Sequence, residues 1–382
     1  MPSYDAIVLG VGGMGSAALY HLARRGLKVL GLERYDIPHD MGSSHGVTRI
    51  IRLAYYEDPS YVPLLRRAFE LWRGLEKEAQ DTLLVTTGSV DAGPAGGSVV
   101  RGSVASCETH NLPHQVLTNK EVTQRFPGYN LPEDTLANYQ PDGGFLIPEK
   151  CIVAHVNAAV EAGGEVHGRE RALSWEPRGE GVEVRTERGA YSAGRLVVCG
   201  GSWTGRLLPE LDRLLTPERQ VLGWFQPLRP DLFTPSVFPV FNVAVSETER
   251  YYGFPVFGVP GFKVGRFHHL SEAVDPDTMD RQPNAVDEKV LRDFTDRYFP
   301  QASGPATMLK TCIFTNTPDE HFILDVHPDL PQVSIAAGFS GHGFKFCSVV
   351  GEILADLATK GHTEHDLGLF GLRRFASRST EG

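Results

Sequence analysis

Three glycines near the start of the chain, Gly10, Gly12 and Gly15, have the GxGxxG spacing of a phosphate-binding turn, and Glu33 follows at roughly the 20-residue distance expected of an acid that reads a ribose. Each position has a mechanical use. Gly10 makes the tight turn, Gly12 lets the backbone approach a diphosphate, and Gly15 allows close packing of helix on strand. The helix N-terminus then offers free N–H groups and a positive partial charge to the diphosphate. A carboxylate at Glu33 accepts from the ribose hydroxyls and disfavours a 2′-phosphate, which speaks against NADP. NAD and FAD share this fingerprint, and it leaves the two open.

A second group of residues follows at once. GSSHG at 42–46 is a small polar loop whose Ser43 and Ser44, with Thr48 just beyond, are expected to donate to the cofactor. Arg49 and Arg52 stand three apart, a spacing that puts them on one face of a helix and on opposite faces of a strand. Their position just after the acid-ended strand suggests a guanidinium that takes a substrate carboxylate in bidentate fashion. His321, Asp325 and His327 invite a metal reading, but the i, i+6 spacing of the histidines is no known ligand geometry, and His342 reads as a loop donor. No metal is expected.

The elements that must hold these groups can be read from apolar patterning. AIVL at 6–9 is a buried strand, 16–25 a helix stopped by Gly26, and 28–33 a second strand. A helix opens at Ser60 with Pro63 in its first turn and an apolar stripe of Leu65, Phe69 and Trp72. From about residue 86 mixed, turn-rich segments take over, with a helix at 157–162 and strands at 181–185 and 191–199. The stretch 221–310, rich in aromatics and prolines and alternating around 243–252, suits a sheet that roofs an active site. A buried strand at 334–337 then enters glycines ahead of a helix at 346–358. The expected fold is α/β: a Rossmann-like dinucleotide domain from 1–85, 146–220 and 320–382, crossed twice by a mixed-sheet substrate domain from 86–145 and 221–319.

Composition removes other classes of function. With 382 residues, 41% hydrophobic and 22% charged, the chain is neither disordered nor collagen-like, and no apolar run reaches the ~18 residues of a membrane span. Forty-seven acids against 37 bases give a net charge of −10, which argues against nucleic acid as a partner. Five scattered cysteines without a CxxC pair support neither a disulfide framework nor a zinc cluster. Without a basic leader or cleavage site in the first residues, a reducing, cytoplasmic setting is expected.

Five stretches together resemble the monomeric sarcosine oxidase and N-methyltryptophan oxidase family of flavoproteins: the glycine turn at 10–15, GSSHGVTRIIR at 42–52, YYGFP at 251–255, CIFTNTPDEH at 312–321 and GFSGHGFKF at 338–346. The resemblance runs over almost the whole chain. It implies FAD held covalently through Cys312, and a flavin domain joined to a substrate domain. It places Arg52 and Lys345 on the substrate carboxylate, Arg49 near the flavin ring, Lys263 at the site of oxygen activation, and Tyr252 and His268 in the substrate cavity. Gly341 and Gly343, ahead of the last helix, are expected against the flavin, where N–H groups can stabilise negative charge. Where sarcosine-specific members carry a methionine over the substrate, Asn242 or Val243 stands here.

The implied reaction is oxidative demethylation of sarcosine or a related N-methyl amino acid by O2, giving the primary amino acid, formaldehyde and hydrogen peroxide, in a monomer that needs neither nucleic acid nor membrane. The rival readings are an oxidase of a bulkier or cyclic secondary amino acid, an enzyme that passes electrons to another acceptor, and an FAD-binding redox sensor without turnover.

Overall fold

The computed structural model describes residues 1–380, with side chains through residue 376. The first third of the chain runs β1 (Ser3–Leu9), α1 (Gly13–Arg24), β2 (Val29–Leu32), β3 (Arg49–Ile51), α2 (Val62–Ala79), β4 (Leu84–Thr86), β5 (Ser89–Pro94), α3 (Ser98–Thr109), β6 (Gln115–Thr118) and α4 (Asn119–Arg125). The middle adds β7 (Thr135–Gln140), β8 (Gly144–Leu146), α5 (Pro148–Glu161), β9 (Glu165–His167), β10 (Ala172–Arg178), β11 (Gly181–Thr186), β12 (Ala190–Val198), α6 (Thr204–Leu207) and β13 (Thr216–Phe225). Last come β14 (Val240–Ala244), β15 (Arg250–Phe254), β16 (Phe262–Arg266), α7 (Ala285–Tyr298), β17 (Ala306–Asn316), β18 (Ile323–Val326), β19 (Val333–Ala337) and α8 (Cys347–Lys360).

One sheet has the order β10-β11-β12-β1-β2-β9, with β19 joined to β12 and β18 to β19. Its centre is parallel: β1 pairs with both β2 and β12, and β12 with β19. A parallel sheet is covered on both faces, and β1 shows it. Ala6 and Val8 pack into the core formed with α1, α5 and α8, while Ile7 and Leu9 enter the core on the other side. α1 and α8 cross in close contact: a Cβ on Gly351 would lie 2.5 Å from the Ala17 Cβ.

The second sheet has the order β17-β13-β16-β15-β14-β5-β7-β6, and a small antiparallel sheet β3-β8-β4 pairs with neither, Phe145 of β8 packing against Val240 and Phe254 of the second sheet. Strand alternation decides what the second sheet does. Phe241 and Val243, Tyr251, and Phe262 and Val264 all enter the aromatic core beneath α7. Their neighbours in sequence, Asn242, Tyr252 and Lys263, therefore point the other way. One face of this sheet is hydrophobic core and the other carries polar groups that can do chemistry.

Two boundaries differ from the sequence expectation. The helix expected at 157–162 starts at Pro148, because Pro at the first helical position hides in the IPEKC segment as a loop signal. The change of sheet expected at 220/221 falls inside β13, which belongs to the second sheet from Thr216 onward. β13 is a continuous run of buried residues after its first turn of chain, and burial alone does not tell one sheet from the other. Among the described residues no helix is long and apolar enough to cross a membrane.

Candidate active site

The glycine turn is built as its spacing implies. Gly10 has φ +89°, a conformation that disfavours any side chain, and a Cβ on Gly15 would lie 1.7 Å from the Gly10 carbonyl oxygen. A Cβ on Gly12, in contrast, would meet nothing within 4 Å: it faces open space at the start of α1. No side chain caps α1, so its first-turn N–H groups remain for a ligand, apart from Gly13 N, which donates to Ser44 Oγ at 3.4 Å. Glu33 is buried, its Oε2 accepting from Val11 N at 2.9 Å and its Oε1 from Tyr35 N at 3.0 Å. It braces the turn and also lines the cavity that begins there.

That cavity encloses about 2110 Å³ of empty space, its solvent-open mouth included. It runs from Gly10, Gly12 and Glu33 past Ser43, Ser44 and Arg49 to Cys312, and on to Gly341, Gly343 and Lys345. Ser43 Oγ donates to Ile313 O at 2.6 Å and thereby ties the polar loop to the strand bearing Cys312. Arg49 is fixed by Thr48 O (2.9 Å) and Ser43 O (2.8 Å), and its Nη2 comes within 3.6 Å of Cys312 Sγ. Cys312 is a free thiol and, like the other four cysteines, buried. A diphosphate cradle joined by one cavity to a second chamber with a thiol on its wall fits FAD, whose isoalloxazine extends the adenine dinucleotide by a ring system of that reach.

Because 49–51 is a strand, Arg49 and Arg52 diverge: Arg49 turns to Cys312 and Arg52 to two acids, the partly buried Glu57 and the buried Asp91. Arg52 donates to Ala54 O and, at 2.9 Å, to Glu57 Oε2, while its Nε lies 3.7 Å from Asp91 Oδ1. Its guanidinium stacks 4.7 Å from the Tyr55 ring centroid and 4.4 Å from that of Tyr56. Lys345 enters the same chamber, its Nζ donating to His342 O at 2.7 Å. Burial, and then the neighbouring Arg52, bring the Lys345 ammonium down to about 7. Burial alone would raise the Glu57 carboxyl, yet Arg52, His342 and Lys345 pull it down to about 2. The two cations expected to hold a carboxylate thus meet in one chamber.

Tyr252 lines the cavity with Asn242, Phe254 and Phe267. The methionine position is thereby resolved: Asn242 faces the cavity and Val243 the aromatic core. Lys263 is buried behind the polar loop, where Nζ donates to Gly46 O (2.7 Å), Thr48 O (2.8 Å) and Thr48 Oγ1 (3.0 Å). Burial, with Arg49 nearby, holds its pKa well below the usual lysine value.

Two expected residues stand elsewhere. Thr48 is turned away from the cavity toward Lys263 and acts as its acceptor. His268 is outside the cavity wall, held by Glu218 at 3.0 Å and Glu320 at 3.1 Å, and Phe267 takes the wall position. The cause is the turn after β16, where His268 has φ +57° and the strand's alternation ends.

The sequence missed the acids that face Arg52. Glu57 lies five residues beyond it on a short turn, so an acid after a paired arginine was a usable local signal. Asp91 comes from β5 and meets Arg52 only through the fold, and Asn242 from β14 in turn donates to Asp91. Trp203 and Arg34, both on the cavity near Glu33, meet at Asp277, again without a local signal.

A family model described as FAD dependent oxidoreductase matches residues 5–357. The monomeric sarcosine oxidase of Streptomyces avermitilis is 43% identical over 380 residues, 98% of this chain and 99% of that protein. The N-methyl-L-tryptophan oxidase of Yersinia pestis is 34% identical, over 97% of this chain and 99% of its own length. Among solved structures, NikD, described as an unusual amino acid oxidase essential for nikkomycin biosynthesis, superposes with a TM-score of 0.83 at 26% identity, covering 97% of this chain and 98% of its own. With a matched model across nearly all of both sheets and full-length relatives at this identity, the chain belongs to the FAD dependent oxidoreductase family.

Proposed function

We propose that this oxidoreductase demethylates sarcosine or a closely related N-methyl amino acid, with the balance R–NH–CH3 + O2 + H2O → R–NH2 + HCHO + H2O2. The observation that carries the reading is one cavity lined at once by Gly12, Cys312, Arg52 and Lys345. Bound FAD supplies the two-electron acceptor that no side chain provides. Gly12, the first turn of α1 and Glu33 would hold its adenosine diphosphate end, and Cys312 Sγ, in the second chamber, would carry the covalent link to its flavin end. Arg52 and Lys345 fix the substrate carboxylate, so that the amine and its methyl group are directed toward the chamber walled by Tyr252, Phe254 and Phe267. Arg49 on the cavity wall, with Lys263 behind the polar loop, supplies cationic groups that favour negative charge developing during the reaction with oxygen. Five free cysteines and the monomeric relatives support a monomer in a reducing, cytoplasmic setting.

Purified protein mixed with sarcosine and O2 should give formaldehyde and peroxide in equal amounts. Acid precipitation should leave the yellow colour with the wild-type pellet and with that of a Cys347→Ser variant, and lose it to the supernatant in Cys312→Ser. An FAD-loaded protein that yields no peroxide with any secondary amino acid is a binding protein and overturns the reading. A Cys312→Ser pellet that stays yellow removes Cys312 from the linkage.

A further inference from the structure

On the second sheet's chemical face, Asn242 is a cavity-lining polar group that the proposed reaction does not use. It sits on β14, opposite Tyr252 on β15 and beside Asp91 on β5, and it lines the cavity. Its amide is not free to turn. Asn242 Nδ2 donates to Asp91 Oδ1 at 2.7 Å, and Ser103 Oγ donates to the other carboxylate oxygen at 2.8 Å, which fixes the plane of the carboxylate. A carboxylate oxygen is served by the NH2 end of an amide, so the Asn242 carbonyl oxygen is the end left for the cavity. Among the described residues it accepts no hydrogen bond from the protein. The same Asp91 Oδ1 lies 3.7 Å from Arg52 Nε, which makes the Asn242 amide a near neighbour of the carboxylate clamp.

We propose that Asn242 sets substrate selectivity, its Oδ1 accepting a hydrogen bond from a donor on the α-side chain of the N-methyl amino acid. This deepens the reading above and rests on it. A substrate held by its carboxylate on Arg52 carries its α-substituent on the carbon next to that anchor, and Asn242 shares with Arg52 the acceptor Asp91 Oδ1, at 2.7 and 3.7 Å. The favoured class is N-methyl amino acids with a short hydroxyl or amide side chain. Apolar side chains of the same size are disfavoured, because they bury the Asn242 oxygen without a partner. An asparagine whose NH2 is anchored on a buried carboxylate is pre-oriented, so little rotamer freedom is lost when the bond forms.

The test compares kcat/KM for N-methyl-L-serine and N-methyl-L-2-aminobutyrate, which differ by a hydroxyl against a methyl, with sarcosine as the reference substrate. The wild-type enzyme should prefer the serine derivative by about fivefold or more. Asn242→Leu, of nearly the same size, should abolish or reverse that ratio, and Asn242→Gln should keep part of it. Comparing two substrates on one variant cancels any general loss caused by freeing Asp91, and the wild-type ratio needs no variant at all. Sarcosine turnover with a wild-type ratio of one or below, or a ratio unmoved by Asn242→Leu, overturns this inference alone. Failure of all three substrates on FAD-loaded enzyme overturns the demethylation reading together with it.

Discussion

Glu57 sits on Arg52, its Oε2 accepting from Nη2 at 2.9 Å, so the cation assigned to a substrate carboxylate already holds one. Asp91 approaches the same edge of the guanidinium, with Oδ1 3.7 Å from Nε. Of the two acids, Glu57 is the one on the cavity wall, and an incoming carboxylate competes with it for Nη2.

Glu57→Gln keeps the shape and removes the competing charge. The affinity for sarcosine or a non-reactive carboxylate ligand should rise by roughly fivefold or more, equivalent to about 1 kcal/mol. Thermal stability should fall, because buried Arg52 is left with one carboxylate instead of two. Ligand titration followed through the flavin spectrum measures the first effect and calorimetry the second. Unchanged affinity would mean that substrate does not displace Glu57.

The position of Lys345 predicts a pH dependence of binding. Its ammonium titrates at about 7, lowered first by burial and then by Arg52, with Glu57 and Asp91 opposing. Below that pH the cation is present and binds a carboxylate. Above it the lysine is neutral and must take up a proton to do so, and affinity should drop toward tenfold per pH unit. Glu57, at about 2, and His342, held at about 4 chiefly by burial, do not titrate in this window. Calorimetric titration in buffers of different ionisation enthalpy should show proton uptake above pH 7. Lys345→Met should remove both the uptake and the slope.

Gly12 and Gly15 should fail in different ways. A methyl at Gly12 enters open space, so Gly12→Ala should fold with an apoprotein Tm near wild type while FAD retention falls. A methyl at Gly15 meets the Gly10 carbonyl, and overpacking of that kind costs about 1–3 kcal/mol. Thermal melts of the apoproteins separate the two. Equal loss of stability in both would show that Gly12 is needed for packing.

Lys263→Met tests whether its charge matters to one half of the reaction. Anaerobic mixing with sarcosine should bleach the flavin within about tenfold of the wild-type rate, a difference of ~1.4 kcal/mol in barrier, while the return of colour on adding O2 slows far more. Equal slowing of both steps would mean that the loop at Gly46 and Thr48, to which Nζ donates, has moved instead.

How much of this was legible in the sequence followed from range. The β1–α1–β2 turn could be read because its glycines, helix start and acid are local and each answers to one steric demand. Alternation around 243–252 gave a sheet, and the same alternation sorts Asn242 and Tyr252 from Phe241 and Tyr251 once one face is known to be core. Thr48 and His268 were misplaced because a hydroxyl in a polar loop and a histidine after a strand look the same whether they face a ligand or an ion pair. Asp91 was invisible: its role comes from parallel pairing of β5 with β14, distant in the chain and close only in the fold.

The cavity draws its glycine turn from the first residues after β1 and its far wall from the loop leading into α8, and α1 and α8 cross with Gly351 against Ala17. During synthesis the early βαβ unit therefore waits, its apolar flank uncovered, until the final helix leaves the ribosome and docks. Cofactor capture belongs to the finished chain. A chain interrupted before α8 should therefore expose the α1 face that Gly351 covers and lack part of the cofactor cavity, so that FAD retention reports a completed chain.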